Sequence, residues 1–179
     1  MSRFSSTLAW TLAVLFAGSA SAHAQDLKAP PAFDNYPVAS QDASSHDIAA
    51  EPILASKKAK QHRSIIRAEF HQPANFAGHY RIAIWGCGTD CRDFAILDKK
   101  TGKVYTMPGV DEIAGVMGND DERIDFRLGS RLLVISGCFN DDCIPDNTRN
   151  NPKAGKYRYL WNGKTLQLIH TSPLPNQPS

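Results

Sequence analysis

The run RIAIWGCGTDCRDFAILD, residues 81–98, constrains the fold more than any other part of the chain. On its first side Tyr80, Ile82 and Ile84 alternate with Arg81, Ala83 and Trp85; on its second, Phe94 and Ile96 alternate with Ala95 and Leu97. Extended backbone points successive side chains to opposite faces, so a period of two reads as a strand. Pairing 80–86 with 92–98 as a hairpin sets Cys87 and Cys91 across the neck of a three-residue loop. Opposed residues of an antiparallel pair lie about 4.5–5.5 Å apart at Cα, within disulfide reach. Gly86, Gly88 and Thr89 permit the tight backbone this needs. The stretch reads as a stapled turn.

Whether thiols oxidise depends on where the chain resides. It opens MSRFSSTLAWTLAVLFAGSASAHAQ: Arg3 is a positive start, Leu8 to Ala17 an apolar core, and Ala22-His23-Ala24 a small-x-small cleavage pattern. These are the parts of a secretory signal peptide over residues 1–24, cut after Ala24. The apolar core is too short for a membrane span, which needs about 20 residues. The expected location is the periplasm or the exterior, with no stable membrane insertion. Four cysteines in such a compartment favour disulfides. Cys138 and Cys143 flank FNDD much as Cys87 and Cys91 flank GTD, so local pairs Cys87–Cys91 and Cys138–Cys143 are expected. The competing connectivity joins hairpin ends, for example Cys87–Cys138. A four-thiolate zinc site usually has two residues between paired cysteines, and the gaps here are three and four. No metal site and no cofactor are expected.

The remaining chain divides by composition and period. Residues 25–55, rich in proline, serine, alanine and aspartate, read as a flexible leader from which Phe33 and Tyr36 can dock. Ser56 to Phe70 reads as one amphipathic helix: Ser56 caps it, Ala59, His62, Ile66 and Phe70 share a face beside Ile65, and Pro73 stops it. The basic run KKAKQHR, Lys57–Arg63, is its solvated face. Strands follow, with turns at Asp98–Lys103, at Gly129-Ser130 and at Asn162-Gly163, the last suited to type I′. Tyr157, Tyr159 and Trp161 share one strand face and read as core. The fold class is α+β and mostly β: one N-terminal helix, then a six- to seven-stranded antiparallel, meander-like sheet stapled by disulfides. Residues 56–171 form a single β-rich domain, and 172–179 a disordered tail.

NFAGHYRIAIWGCGTDC, AILDKKTGKVY, SRLLVISG and YLWNGKTLQLI together resemble a group of small exported bacterial proteins of unassigned function, over roughly residues 57–170. The likeness is firmest at Asn75–Tyr80 and Trp85–Gly88. It implies export and a compact β-rich body, and it carries no activity.

Net charge is +2, with no concentrated basic face of the kind nucleic acid requires. None of the common hydrolase, zinc-peptidase or P-loop patterns occurs. The expected function is a non-catalytic binding module for another macromolecule, inhibitor- or immunity-like, with a protein partner. Its candidate binding residues are Arg81 and an acidic rim from two loops: Asp120 and Asp121, then Asp141, Asp142 and Asp146. An alternative is a small envelope hydrolase, with His79 as general base beside Asp90 or Asp93. A further alternative is calcium binding by the acidic loops, whose spacing fails the usual calcium-loop pattern.

Overall fold

The computed structural model describes residues 29–39, 49–116, 121–140 and 153–174. It is mostly β. Among the described residues eight strands, not six or seven, form one antiparallel sheet: β1 (Tyr80–Gly88), β2 (Cys91–Asp98), β3 (Val104–Thr106), β4 (Ile113–Ala114), β5 (Ile124–Phe126), β6 (Leu132–Phe139), β7 (Gly155–Trp161) and β8 (Leu166–Ser172). The order is β1-β2-β4-β6-β7-β8, with β3 also on β2 and β5 also on β6. The additional strands are short. Ile113-Ala114 lies in a stretch expected to be a loop, and its two residues join the halves of the sheet by pairing with Arg92 and Cys91 on one side and Phe139 and Cys138 on the other. Gly137 permits the approach: its φ is +144°, and a Cβ there would strike the Ala114 carbonyl.

The β1–β2 ladder runs from Tyr80↔Asp98 to Gly88↔Cys91. Ile82, Phe94 and Ile96 point to the concave side, where they meet Ile113, Ile124, Leu133, Ile135, Tyr159 and Trp161 in one core. Ala83, Trp85, Ala95 and Leu97 point to the other side, which the helical segment covers with Ala59, Ile66 and Phe70. The curl is drawn together by the loop before β1. There Ala77 and Gly78 take positive φ, and Gly78 N–H donates to the Leu128 carbonyl at 2.8 Å in the β5–β6 turn. The Asn75 side chain shields the outer edge of β1, accepting from Ile82 N–H at 2.7 Å and donating to its carbonyl at 3.3 Å.

The single helix expected over 56–70 is replaced by two short ones, α1 (Lys57–Gln61) and α2 (Arg63–Phe70). They meet at His62, whose backbone leaves helical geometry while its ring stacks on Trp85, 4.4 Å between centroids and 19° between planes. Ser56 Oγ accepts from Ala59 N–H at the start of α1. Lys99 closes the end of α2, donating to the carbonyls of Phe70 and Gln72 while its ammonium lies over the Phe70 ring. A cation there meets carbonyls the helix leaves unpaired. Ile65, placed beside the buried face by its spacing, is exposed.

The described parts of the 25–55 segment are fastened to the body. Ser130 Oγ donates to the carbonyls of Phe33 and Tyr36, Arg127 lies over the Phe33 ring, and Pro37 bridges Ser130. Ile53 bridges Lys103, with its N–H on the Gly102 carbonyl. The turn at Asn162-Gly163 is not type I′. Only Gly163 has positive φ, and the Asn162 side chain instead accepts from Lys164 N–H and Thr165 N–H. The turn thus carries its glycine at the first central position, with Asn162 at the corner before it.

Cys87 and Cys91 are bonded, with Cα atoms 5.2 Å apart, which excludes Cys87–Cys138. Cys138 is disulfide-bonded; Cys143, its expected partner, lies outside the described residues. So do residues 1–24 and most of the tail.

Two measurements check this account. Replacing both Cys87 and Cys91 with serine releases a short loop and lowers unfolding free energy by about 2 kcal/mol, read from urea denaturation. The second concerns Tyr159, whose phenol burial, followed by the neighbouring Tyr157, pushes up to about 12. Its folded-state value exceeds the unfolded one near 10, so its contribution is intact below pH 10 and is lost as pH rises toward 12. The melting temperature falls across that window, and falls less steeply in Tyr159→Phe.

Candidate functional site

The sequence places His79, Asp90 and Asp93 within a few residues of one hairpin, but the hairpin's extension separates them. His79 precedes β1, where its Nε2 lies 3.5 Å from Asp98 Oδ1 and its ring packs on Tyr80. Asp98 also accepts from Lys100 N–H, Thr101 N–H and the Thr101 hydroxyl, so this carboxylate organises the β2–β3 turn. Asp93 pairs across from Trp85, five ladder positions from the Tyr80↔Asp98 pair. At a strand rise of about 3.3 Å that is roughly 17 Å away. Asp90 is further still, beyond the nine-residue β1. The hydrolase arrangement of His79 with Asp90 or Asp93 is therefore not assembled: the carboxylate beside His79 is Asp98.

Arg81 is held by the helical layer. Its Nε and Nη2 donate to Glu69 Oε2 at 2.8 and 2.5 Å, and Nη1 donates to the Pro73 carbonyl at 2.9 Å. Asp121 pairs with Lys156 at 2.8 Å. These two candidate binding residues thus sit in separate networks. Asp120, Asp141, Asp142 and Asp146 lie outside the described residues, and with them most of the expected acidic rim. Among the described residues no group of three or more His, Cys, Asp or Glu is arranged to hold a metal ion.

The structure instead brings together residues to which the sequence pattern assigns no special role. Lys58, assigned to a solvated face, turns inward. Its ammonium donates to Asp93 Oδ2 at 2.8 Å, to Asp111 Oδ1 at 3.3 Å and to the Val110 carbonyl. Asp93 is 2 % exposed, and its other oxygen accepts from Phe94 N–H at 2.8 Å. Three elements are joined at this point: α1, β2 and the loop before β4. Beside the ion pair, His62 stacks on Trp85, whose indole N–H is buried with no hydrogen-bond partner among the described residues. These groups, with Lys57, Gln61 and Gly86, line a cleft of about 720 Å³. Spacing carried one signal for it: Lys58, His62 and Ile66 are successive i, i+4 neighbours, so a face with buried Ile66 also carries Lys58 inward.

Next to this cleft projects the stapled tip. Residues 86–90 are all exposed, while Cys91 is buried. Asp90, at φ +53°, is fastened from below: Arg123 donates to its carbonyl at 2.9 Å and to Oδ1 at 2.8 Å, and Gly115 N–H donates to the same carbonyl at 3.0 Å. An exposed turn is thus fixed by a disulfide within it and by an arginine beneath it.

A second cleft, about 560 Å³, opens on the concave side between β3 and the β7–β8 turn. Its walls are mainly apolar, including Phe94, Ile96, Met107, Trp161 and Leu166. Trp161 is clamped there by Tyr80 and Tyr105, each T-shaped to it at 5.3 and 5.2 Å. Burial, with a smaller contribution from Asp98, raises the Tyr105 phenol above its usual value.

Comparison of the chain with family models, with curated proteins and with solved structures returned no match.

The buried ion pair makes a direct prediction. Asp93→Ala leaves the Lys58 ammonium enclosed without its main counter-charge and costs about 3–5 kcal/mol. The paired change Lys58→Met with Asp93→Leu restores most of that loss. Denaturation midpoints of the three variants, at a common m-value, distinguish the two effects.

Proposed function

We propose that the chain is an exported, non-catalytic binding module that recognises another macromolecule in the cell envelope or outside the cell, in the manner of an inhibitor or immunity protein. Export is supported by the N-terminal leader pattern and by disulfide bonding, which persists in oxidising compartments. The partner is a protein, and the recognition surface is the stapled β1–β2 tip together with the adjoining Lys58–His62–Trp85 cleft.

One observation carries this reading: the turn at residues 86–90 is exposed yet held by the Cys87–Cys91 bridge and by Arg123 on Asp90. A loop already fixed in one shape loses little conformational entropy when a partner closes over it. The cleft beside it adds Trp85 with His62 stacked on it, and tryptophan is among the residue types enriched at protein interfaces. Catalysis lacks comparable support, since the histidine and its candidate carboxylates lie at different positions along the hairpin.

A photo-crosslinking residue at Thr89 tests the proposal in cells exporting the protein. A discrete adduct of higher mass is expected from Thr89 and none from Leu128, an exposed residue of the β5–β6 turn. No adduct at Thr89, or equal adducts at both positions, overturns it.

A further inference from the structure

We propose that the concave cleft between β3 and the β7–β8 turn is a binding site for a single-chain apolar carboxylate of the fatty-acid type, independent of the stapled tip. Its volume, about 560 Å³, falls within the range of small-ligand pockets, roughly 300–1,000 Å³. Three features of the lining select the ligand.

The walls come first. Phe94, Ile96, Met107, Trp161 and Leu166 present aliphatic and aromatic surface, which favours a hydrocarbon chain at about 25 cal/mol per Å² removed from water. The cleft is shaped by the fold: β3, paired with β2 through Val104–Thr106, forms one wall, and the end of β7 with the β7–β8 turn forms the other.

The charge comes second. Lys164 is the one charged residue among the described residues of the lining. It is exposed in the β7–β8 turn and makes no ion pair among the described residues. A cation at the mouth of an apolar cleft complements a ligand with a hydrocarbon body and an anionic head.

The hydrogen-bonding groups come third. The phenol of Tyr105 and the hydroxyls of Thr106 and Thr165 line the cleft. Among the described residues no carboxylate side chain lines the cleft, so no acidic neighbour competes for these donors or for Lys164. The accessible polar groups thus suit an anionic acceptor, and a carboxylate is acceptor-only.

The test is isothermal titration of the oxidised protein with decanoate, decanol and decyltrimethylammonium, each below micelle formation. Decanoate is expected to saturate one site, with decanol weaker and the cation not binding. Lys164→Glu reverses an exposed charge without touching the core. It is expected to weaken decanoate roughly fivefold, in line with exposed charge pairs, and to leave decanol unchanged. The proposal is overturned by absence of saturable decanoate binding, by equal binding of decanol or the cation, or by unchanged decanoate affinity in Lys164→Glu. Neither result bears on crosslinking at Thr89, so the two proposals fail separately.

Discussion

The architecture depends on the β1–β2 hairpin being buried on both faces. An antiparallel ribbon standing alone is marginal in water, and one covered on a single face leaves the other wet. Here the concave face, with Ile82, Phe94 and Ile96, enters the main core, and the convex face, with Ala83, Ala95 and Leu97, lies under Ile66 and Phe70. Small side chains at 83 and 95 admit the helices close to the ribbon. The helical layer packs on one of these faces, and the core residues of β5, β6 and β7 meet the other.

Charge fixes what hydrophobic contact leaves free. Apolar packing has no direction, so two short helices on a flat patch could slide or rotate. Lys58 ties α1 to β2 through Asp93, Arg81 on β1 reaches Glu69 on α2, and Lys99 closes the last turn of α2. These contacts come from three directions and set one orientation. Partial burial makes them matter, because a charge withdrawn from water needs its partner in place.

The two clefts lie on opposite faces of the same ribbon. Trp85 and Asp93 line the polar one on the convex side, and Phe94 and Ile96 the apolar one on the concave side. Adjacent residues Asp93 and Phe94 therefore contribute to different environments, which follows from the pleat. The strand's period of two turns a continuous sequence into two chemically distinct surfaces.

Much of this was legible from local pattern. Alternation at 80–85 and 94–97 gave the ribbon, the glycines and cysteines between them gave its stapled bend, and the core face of Tyr159 and Trp161 followed from the same alternation. Such features depend on neighbours a few residues apart, so a pattern can specify them. The two-residue β4 had no period to show, and the break at His62 arises from stacking on Trp85, 23 residues later. The alternative pairing of His79 with Asp90 or Asp93 fails to form for a related reason: nearness in sequence becomes distance along an extended strand, while the turn returns Asp98 to His79. By itself the sequence determined the β1–β2 ribbon, the facing of its residues and the local Cys87–Cys91 bridge. Tertiary structure alone decided which charges were drawn inward and where the clefts opened, because those depend on long-range packing that no local period encodes.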